Sequence, residues 1–186
     1  GADVTFKVAS GAGTTTITVG TNAKVELGAL NGGAETIIVD RAVTGGTADN
    51  FAMTTISGTN NASLAGHIID FDATVNTAAF SLLGTNMANS QVNVASATSL
   101  TEALNLAANY TLLVQDQGTA ATAAANLLAA NTGEITWFQY GGDTYVVADI
   151  GNTTAFVNGT DLIVKIAGLV DLTNASYNAS YDTIAL

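Results

Sequence analysis

Two residue types are missing from this sequence of 186 residues: it contains no cysteine and no proline. Without cysteine the chain can form no disulfide framework, no zinc finger and no thiol nucleophile. Without proline, the turns must be built from other residues, and glycine and asparagine take that place. Histidine occurs once, as His67, so a metal site made of several histidines is excluded. No G-x-S-x-G motif accompanies it, and we predict a structural role for His67 at the start of a strand.

Basic residues are also scarce. Four lysines and arginines stand against 15 aspartates and glutamates, which gives a formal net charge of −11. The four (Lys7, Lys24, Arg41 and Lys165) are scattered, so no basic surface is available for nucleic acid or for anionic lipid. No apolar run approaches the roughly 20 residues that cross a bilayer, and no membrane span is predicted. A surface this acidic favours a cation as partner, and Ca²⁺ suits its hard oxygen ligands.

Residues 1–97 consist of short segments rich in β-branched residues, separated by glycine and asparagine. Such segments favour strands, and their spacing is roughly 10–15 residues. The sequence therefore predicts a mainly β fold, with residues 1–97 forming either a β-sandwich or a β-roll or solenoid-like sheet. The segments are "TTTITVG", "AKVEL", "ETIIVD", "MTTIS", "GHIIDF", "AAFSLLG" and "QVNVA".

Residues 98–186 have a different pattern and are predicted to form a small α+β module. Ser99 and Glu102 have the spacing of a capping box, and the apolar residues that follow recur at helical intervals, which predicts a helix. "YTLLVQD" (residues 110–116) favours a strand. "TAATAAANLLAANTG" (residues 119–133) favours a second helix that ends at Gly133.

The aromatic residues of this module are concentrated in "EITWFQYGGDTYVVAD" (residues 134–149). Two β-rich runs flank a Gly-Gly pair, which predicts a tight β-hairpin. Alternation along the strand puts Trp137 and Phe138 on opposite faces, so we expect both faces to be covered. The predicted core of the module is Trp137, Phe138, Tyr145, Val147, Ile163 and Ile166. The alternative interpretation is that Trp137, Phe138 and Tyr140 form a platform that binds carbohydrate or protein.

The segment "WFQYGGDTYVVAD", followed by "GTDLIVKIAGLVDL" (residues 159–172), resembles the C-terminal end of bacterial RTX-type proteins exported by type I secretion. That group includes surface-layer (S-layer) proteins of the Caulobacter kind. "GHIIDFDATVNTAAFSL" (residues 66–82) is similar to the segment that follows their calcium repeats. The calcium-binding nonapeptide is not matched by its nearest equivalents, "GGAETIIVD" and "GGTADNFAM", because neither has the third glycine or an aspartate at the sixth position. The resemblance implies a secreted protein of the bacterial cell surface that binds calcium.

Several aspartates are candidate calcium ligands. Asp70 and Asp72 are two residues apart, so on a strand their carboxylates share a face. Asp143, Asp149 and Asp161 flank the predicted hairpin. The alternatives are a solvated strand edge for the first pair and, for Asp143, a side-chain bond within the turn. A carboxylate pair could also serve glycoside hydrolysis, but no particular pair is indicated.

These observations favour an extracellular structural protein over an enzyme. We expect the C-terminal part of an S-layer or S-layer-like protein that associates with itself, as a lattice or filament, in the presence of Ca²⁺. Cell-surface polysaccharide is a further expected partner. Two alternatives stay open: a non-catalytic secretion tail of a secreted RTX enzyme, and an adhesin module that binds carbohydrate. The start at Gly1, without a leader, favours a fragment of a longer chain.

Overall fold

A computed structural model describes most strands of the chain and one helix. The described residues are 5–8, 14–19, 23–28, 34–39, 51, 53–58, 64–71, 80–82, 86–115, 133–149, 155–158, 160–178 and 181–186. The strands are β1 (Thr5–Val8), β2 (Thr16–Val19), β3 (Lys24–Leu27), β4 (Thr36–Val39), β5 (Thr54–Gly58), β6 (Ile68–Asp70), β7 (Phe80–Leu82), β8 (Gly133–Tyr140), β9 (Asp143–Asp149), β10 (Leu162–Ile166), β11 (Ser176–Asn178) and β12 (Thr183–Ala185); the helix is α1 (Leu100–Gln115). The predicted mainly β fold is confirmed. Of the segments predicted as strands, "QVNVA" forms only an isolated bridge, between Gln91 and Trp137.

The strands form two sheets. The seven-stranded sheet has the order β1-β3-β5-β10-β9-β8-β7, and the five-stranded sheet has the order β11-β12-β6-β4-β2. From β1 to β6 the chain alternates between the two sheets, and each strand pairs in parallel with the strand two places later. Each turn of the chain therefore adds one strand to each sheet.

The six strands β1 to β6 make two successive turns, the first from β1 and β2 to β3 and β4 and the second from β3 and β4 to β5 and β6. The two turns differ in length. In the first turn, Thr5 pairs with Lys24 and Thr16 pairs with Thr36. In the next turn, Lys24 pairs with Thr55 and Thr36 pairs with Ile68. In both sheets the second turn thus spans a longer stretch of chain than the first. This difference is why the sequence shows no fixed repeat.

Alternation within each strand builds the core between the sheets. In β2 and β3 every second residue is buried and the residues between are exposed, as "TITV" and "KVEL" predict. The buried residues of β2 to β4 are Ile17, Val19, Val25, Leu27, Ile37 and Val39. We call the cluster that contains them, together with Trp137 and Ile166, the inner core.

Strands from both predicted modules share both sheets. β10 lies beside β5, where Val164 pairs with Thr54, and β12 lies beside β6, where Ile184 pairs with Ile69. β7 lies beside β8. Backbone ladders therefore join residues 1–97 to residues 98–186, and the boundary between the two modules stays a prediction.

Helix α1 begins where the capping pattern predicts. The Ser99 Oγ accepts from the Glu102 N–H at 3.2 Å, and the Glu102 carboxylate accepts from the Thr98 N–H at 2.7 Å. The helix continues to Gln115, so the strand predicted over residues 110–116 is wrong as far as Gln115. A capped helix adds one hydrogen bond for each residue it gains, and this outweighs the β preference of "YTLLV". The second predicted helix lies outside the described residues, except for Gly133, which begins β8.

The helix packs on the face of the seven-stranded sheet that is turned away from the inner core. Ala103, Leu104 and Ala107 belong with Phe138 and Tyr145 to a second buried cluster, which we call the outer core. The seven-stranded sheet thus faces the five-stranded sheet on one side, and on the other side α1 covers it at β8 and β9. This arrangement places the aromatic hairpin in the interior.

Candidate functional site

The aromatic hairpin β8–β9 was the first candidate for a binding surface. Gly141 and Gly142 form its two-residue turn with φ of 60° and 90°, the positive values that a type I′ turn requires. Trp137 is 1% exposed and belongs to the inner core, whereas Phe138 is fully buried in the outer core. All six residues predicted as core are buried, although Trp137 and Ile166 lie in the inner core, which the strands of residues 1–97 share, and not in a core of the second module alone.

The hairpin's rings are held by specific contacts. Trp137 Nε1 donates to the Met87 carbonyl oxygen at 2.7 Å, and the Phe138 and Tyr145 rings stack with centroids 5.2 Å apart. Burial dominates the rise in the pKa of Tyr145 above its usual value. Because Trp137 and Phe138 are enclosed, they cannot form the surface platform that was the alternative interpretation. Only Tyr140 of that set is partly exposed.

Asp143 lies at the turn end of β9 and forms an ion pair. Its Oδ2 is 2.6 Å from Lys165 Nζ, and its Oδ1 accepts from the Gly168 N–H at 2.9 Å. Partial burial alone would raise the pKa of Asp143, but the hydrogen bonds from Lys165 and Gly168 and the charge of Lys165 lower it. The hydrogen bond to Asp143 raises the pKa of Lys165. Asp143 thus fastens β9 to β10 and to the turn at Gly168.

Asp149 and Asp161 lie at the far end of the same strands. Asp149 is 5% exposed and faces Glu134 across the β8–β9 ladder. Asp161 is 4% exposed, and its Oδ2 accepts from the Val157 N–H at 2.6 Å. Asp161 precedes Leu162, whose partner is Ala148, so the two aspartates end neighbouring strands. Both carboxylates are enclosed by their own chain.

The predicted calcium ligands are not gathered at one point. Asp143 and Asp149 begin and end β9, which separates them by about 20 Å. Asp70 ends β6 and is half-buried, and its neighbour Asp72 lies outside the described residues. Within the described ranges, no group of three or more His, Cys, Asp or Glu side chains could hold a metal ion. Carboxylates are the right donors for Ca²⁺, but the described residues do not bring together a set of three or more.

One buried polar pair was not foreseen from the sequence. His67 and Glu35 are 1% and 7% exposed, and Glu35 Oε2 lies 2.6 Å from His67 Nδ1. They immediately precede β6 and β4, whose first residues, Ile68 and Thr36, are paired. The sequence contains one sign of this pair: the separation of Glu35 and His67 along the chain equals the length of the second turn in the five-stranded sheet, so the two residues come to lie side by side. His67 lies at the start of a strand, as predicted, and is buried with Glu35 as its partner.

Two shallow grooves lie near the hairpin. The larger, of about 510 Å³, is lined by residues 91–95, Ala97, Gln139 and Tyr140. The smaller lies along α1 and includes Glu102, Asn105 and Asn109. Neither of these two grooves contains the pair of carboxylates that glycoside hydrolysis needs.

A scan against models of protein families found no match, and a search of curated proteins found none. No helix in the described ranges is long and apolar enough to span a membrane.

Proposed function

We propose that this chain is part of a bacterial extracellular structural protein, of the S-layer or S-layer-like kind and exported by type I secretion. Its role is to associate with further copies of itself at the cell surface, with Ca²⁺ reducing the repulsion between them. It acts by assembly and not by catalysis. The proposal rests on the sheet edges, the charge and the interior position of the aromatic side chains.

The observation that carries the proposal is the state of the sheet edges. Within the described residues, β1 and β7 end the seven-stranded sheet, and β2 and β11 end the five-stranded sheet. Soluble proteins commonly guard such edges with lysine or proline. Here the four strands have one charged residue between them, Lys7, and its charge is paired with Glu26 at 2.9 Å. Apart from Lys7 on β1, these edges carry no charged guard, which suits a protein that pairs with its own copies.

The role of Ca²⁺ follows from charge. Copies with a formal net charge of −11 repel one another at low ionic strength. Glu102 and Asp171 are exposed, and their pKa values are lowered, chiefly by hydrogen bonds from the Thr98 and Thr173 backbone N–H groups. These carboxylates therefore stay ionised at neutral pH. A divalent cation that binds such surface carboxylates lowers the repulsion and can bridge two copies.

The interior position of the aromatic rings weighs against the adhesin alternative. Sugar-binding surfaces present exposed rings, and Trp137 and Phe138 are enclosed. The secretion-tail alternative makes a different prediction, since a tail has no need to self-associate. Self-association is therefore the property to measure.

The test is the molar mass of the full chain in solution. Size-exclusion chromatography with light scattering is run with EGTA, with Mg²⁺ and with Ca²⁺ from micromolar to millimolar concentration. We expect a monomer in EGTA, larger species in Ca²⁺ and a return to monomer when EGTA is added back. Mg²⁺, which keeps its water shell, is the matched control and should act weakly. A monomer at every Ca²⁺ concentration would overturn the proposal.

A further inference from the structure

The two ends of the wound part of the chain differ. At one end the second turn is covered, because β10 lies beside β5 and β12 lies beside β6. At the other end, β1 and β2 each have a single neighbouring strand among the described residues, β3 and β4 respectively. Both belong to the first turn, so the outer edges of the two sheets are presented together.

Apolar side chains that are in register with the inner core become more exposed at the first turn. Phe6, Val25 and Ile56 are aligned in the seven-stranded sheet, and they are 38%, 0% and 0% exposed. Ile17, Ile37 and Ile69 are aligned in the five-stranded sheet, and they are 9%, 0% and 0% exposed. In both rows the side chain at the first turn is the most exposed of the three, although Ile17 is still buried and only Phe6 is exposed. Stacked turns of this kind need a cover at each end of the core.

Charge favours a second copy as the cover. Residues 1–39 contain three acids (Asp3, Glu26 and Glu35) and two bases, Lys7 and Lys24. Residues 40–186 contain the other twelve acids and two bases. The formal charge of the first part is thus −1 and that of the second −10. Two copies approach with least repulsion when their first turns face each other.

We propose that the first turn is the surface on which a second copy docks, with β1 and β2 of the two copies meeting edge to edge. A two-fold axis relates the copies, so each strand runs antiparallel to its counterpart across the contact. The contact buries Phe6 and extends both sheets through the dimer. This inference rests on the proposed self-association and names the contact through which it occurs.

Cross-linking tests the contact directly, because the chain has no cysteine of its own. Thr18 is exposed on β2, and Ser176 is exposed on β11 at the opposite edge of the same sheet. Single-cysteine variants T18C and S176C are treated in Ca²⁺ with a short bismaleimide, which tolerates a shift in register. We expect covalent dimers from T18C and little product from S176C. Product from S176C alone would show that the opposite edge is the contact.

A charge at the edge gives a second test. T18K places a lysine where edge strands commonly have one, and F6E places a like charge on each copy at the exposed end of the core. We expect the dimer dissociation constant to rise about tenfold or more for each, with S176K unchanged. A thermal unfolding midpoint close to that of the unmodified chain shows that a variant is folded. If F6E does not fold, T18K still tests the contact, because Thr18 is exposed.

The outcomes separate the two proposals. If the unmodified chain stays monomeric at all Ca²⁺ concentrations, self-association itself is wrong. If it associates but T18K and F6E associate equally well and T18C gives no covalent dimer, the first turn is not the contact, and the proposed function stands.

Discussion

Glu35 and His67, distant in the chain, touch inside the protein through Oε2 and Nδ1 at 2.6 Å. The Glu35 backbone N–H also lies 3.2 Å from Nδ1. His67 Nδ1 carries at most one hydrogen. The shorter contact, to Glu35 Oε2, is the one that an N–H···O hydrogen bond from Nδ1 explains. The Leu186 N–H donates to the His67 carbonyl oxygen at 2.9 Å, so the pair also adjoins the last strand. The side-chain contact therefore links the starts of β4 and β6, and the backbone bond links His67 to the residue after β12.

Breaking this buried pair should lower the free energy of unfolding far more than breaking an exposed ion pair does. E35A or H67A leaves a buried polar partner behind, and we expect the free energy of unfolding to fall by about 3 kcal/mol. The double variant should lose less than the sum of the two, because no partner is left alone. Urea unfolding at pH 7 measures all three.

The matched control is E26A, which removes a carboxylate that is 48% exposed and paired with Lys7. Its expected cost is at most about 1 kcal/mol. Single-variant losses at Glu35 and His67 as small as that of E26A, or simple additivity, would contradict a coupled buried pair.

The Asp143–Lys165 pair should shape the acid limb of stability. Since the pKa of Asp143 is lowered in the folded chain, its contribution is fully present above the ordinary value of about 4 and is lost as pH falls below it. The raised pKa of Lys165 gives the opposite limb, which is lost as pH rises above about 10. D143N should therefore lower the free energy of unfolding at pH 7 by about 1 kcal/mol and flatten its fall between about pH 5 and 2.

For this pH profile, D171N is the control. The pKa of Asp171 is also lowered, but by local hydrogen bonds from Thr173 on an exposed loop. Urea midpoints taken from pH 2 to 7 compare the two variants. Equal flattening by both would show that the ion pair has no special part in the acid limb.

The roles of the two adjacent glycines in the hairpin turn can be tested separately. Gly142 has φ of 90°, and a Cβ there would meet no atom within 4 Å. G142A should therefore cost about 1–3 kcal/mol through backbone strain alone. G141N should be nearly neutral, because asparagine adopts the left-handed conformation at the first turn position with φ near 60°. Thermal unfolding of both variants decides the matter, and equal losses would mean that the turn is not type I′.

Local patterns in the sequence predicted what local interactions decide. The Gly-Gly turn specifies the hairpin, and Ser99 with Glu102 specifies the start of α1. The sequence placed the end of α1 too early, because the β-branched and aromatic residues after Asn109 favour a strand by local preference. In the protein, the preceding helix extends through these residues. The pairing of β5 with β10 joins segments that are far apart in the chain, and no short-range pattern encodes it. Glu35 and His67 could be matched only once the length of the second turn was known.

The single tryptophan allows the interior position of the hairpin to be measured in solution. Trp137 is 1% exposed and donates to the Met87 carbonyl at 2.7 Å, so its emission should be blue-shifted relative to tryptophan in water. Iodide should quench this emission several-fold less in the folded chain than in the chain unfolded by urea. Added oligosaccharides should leave the emission spectrum unchanged. W137F should cost about 2–4 kcal/mol, because it opens a cavity and leaves the Met87 oxygen without that bond. Efficient quenching, or a shift of emission on adding sugar, would instead place the indole on a binding surface and revive the adhesin alternative.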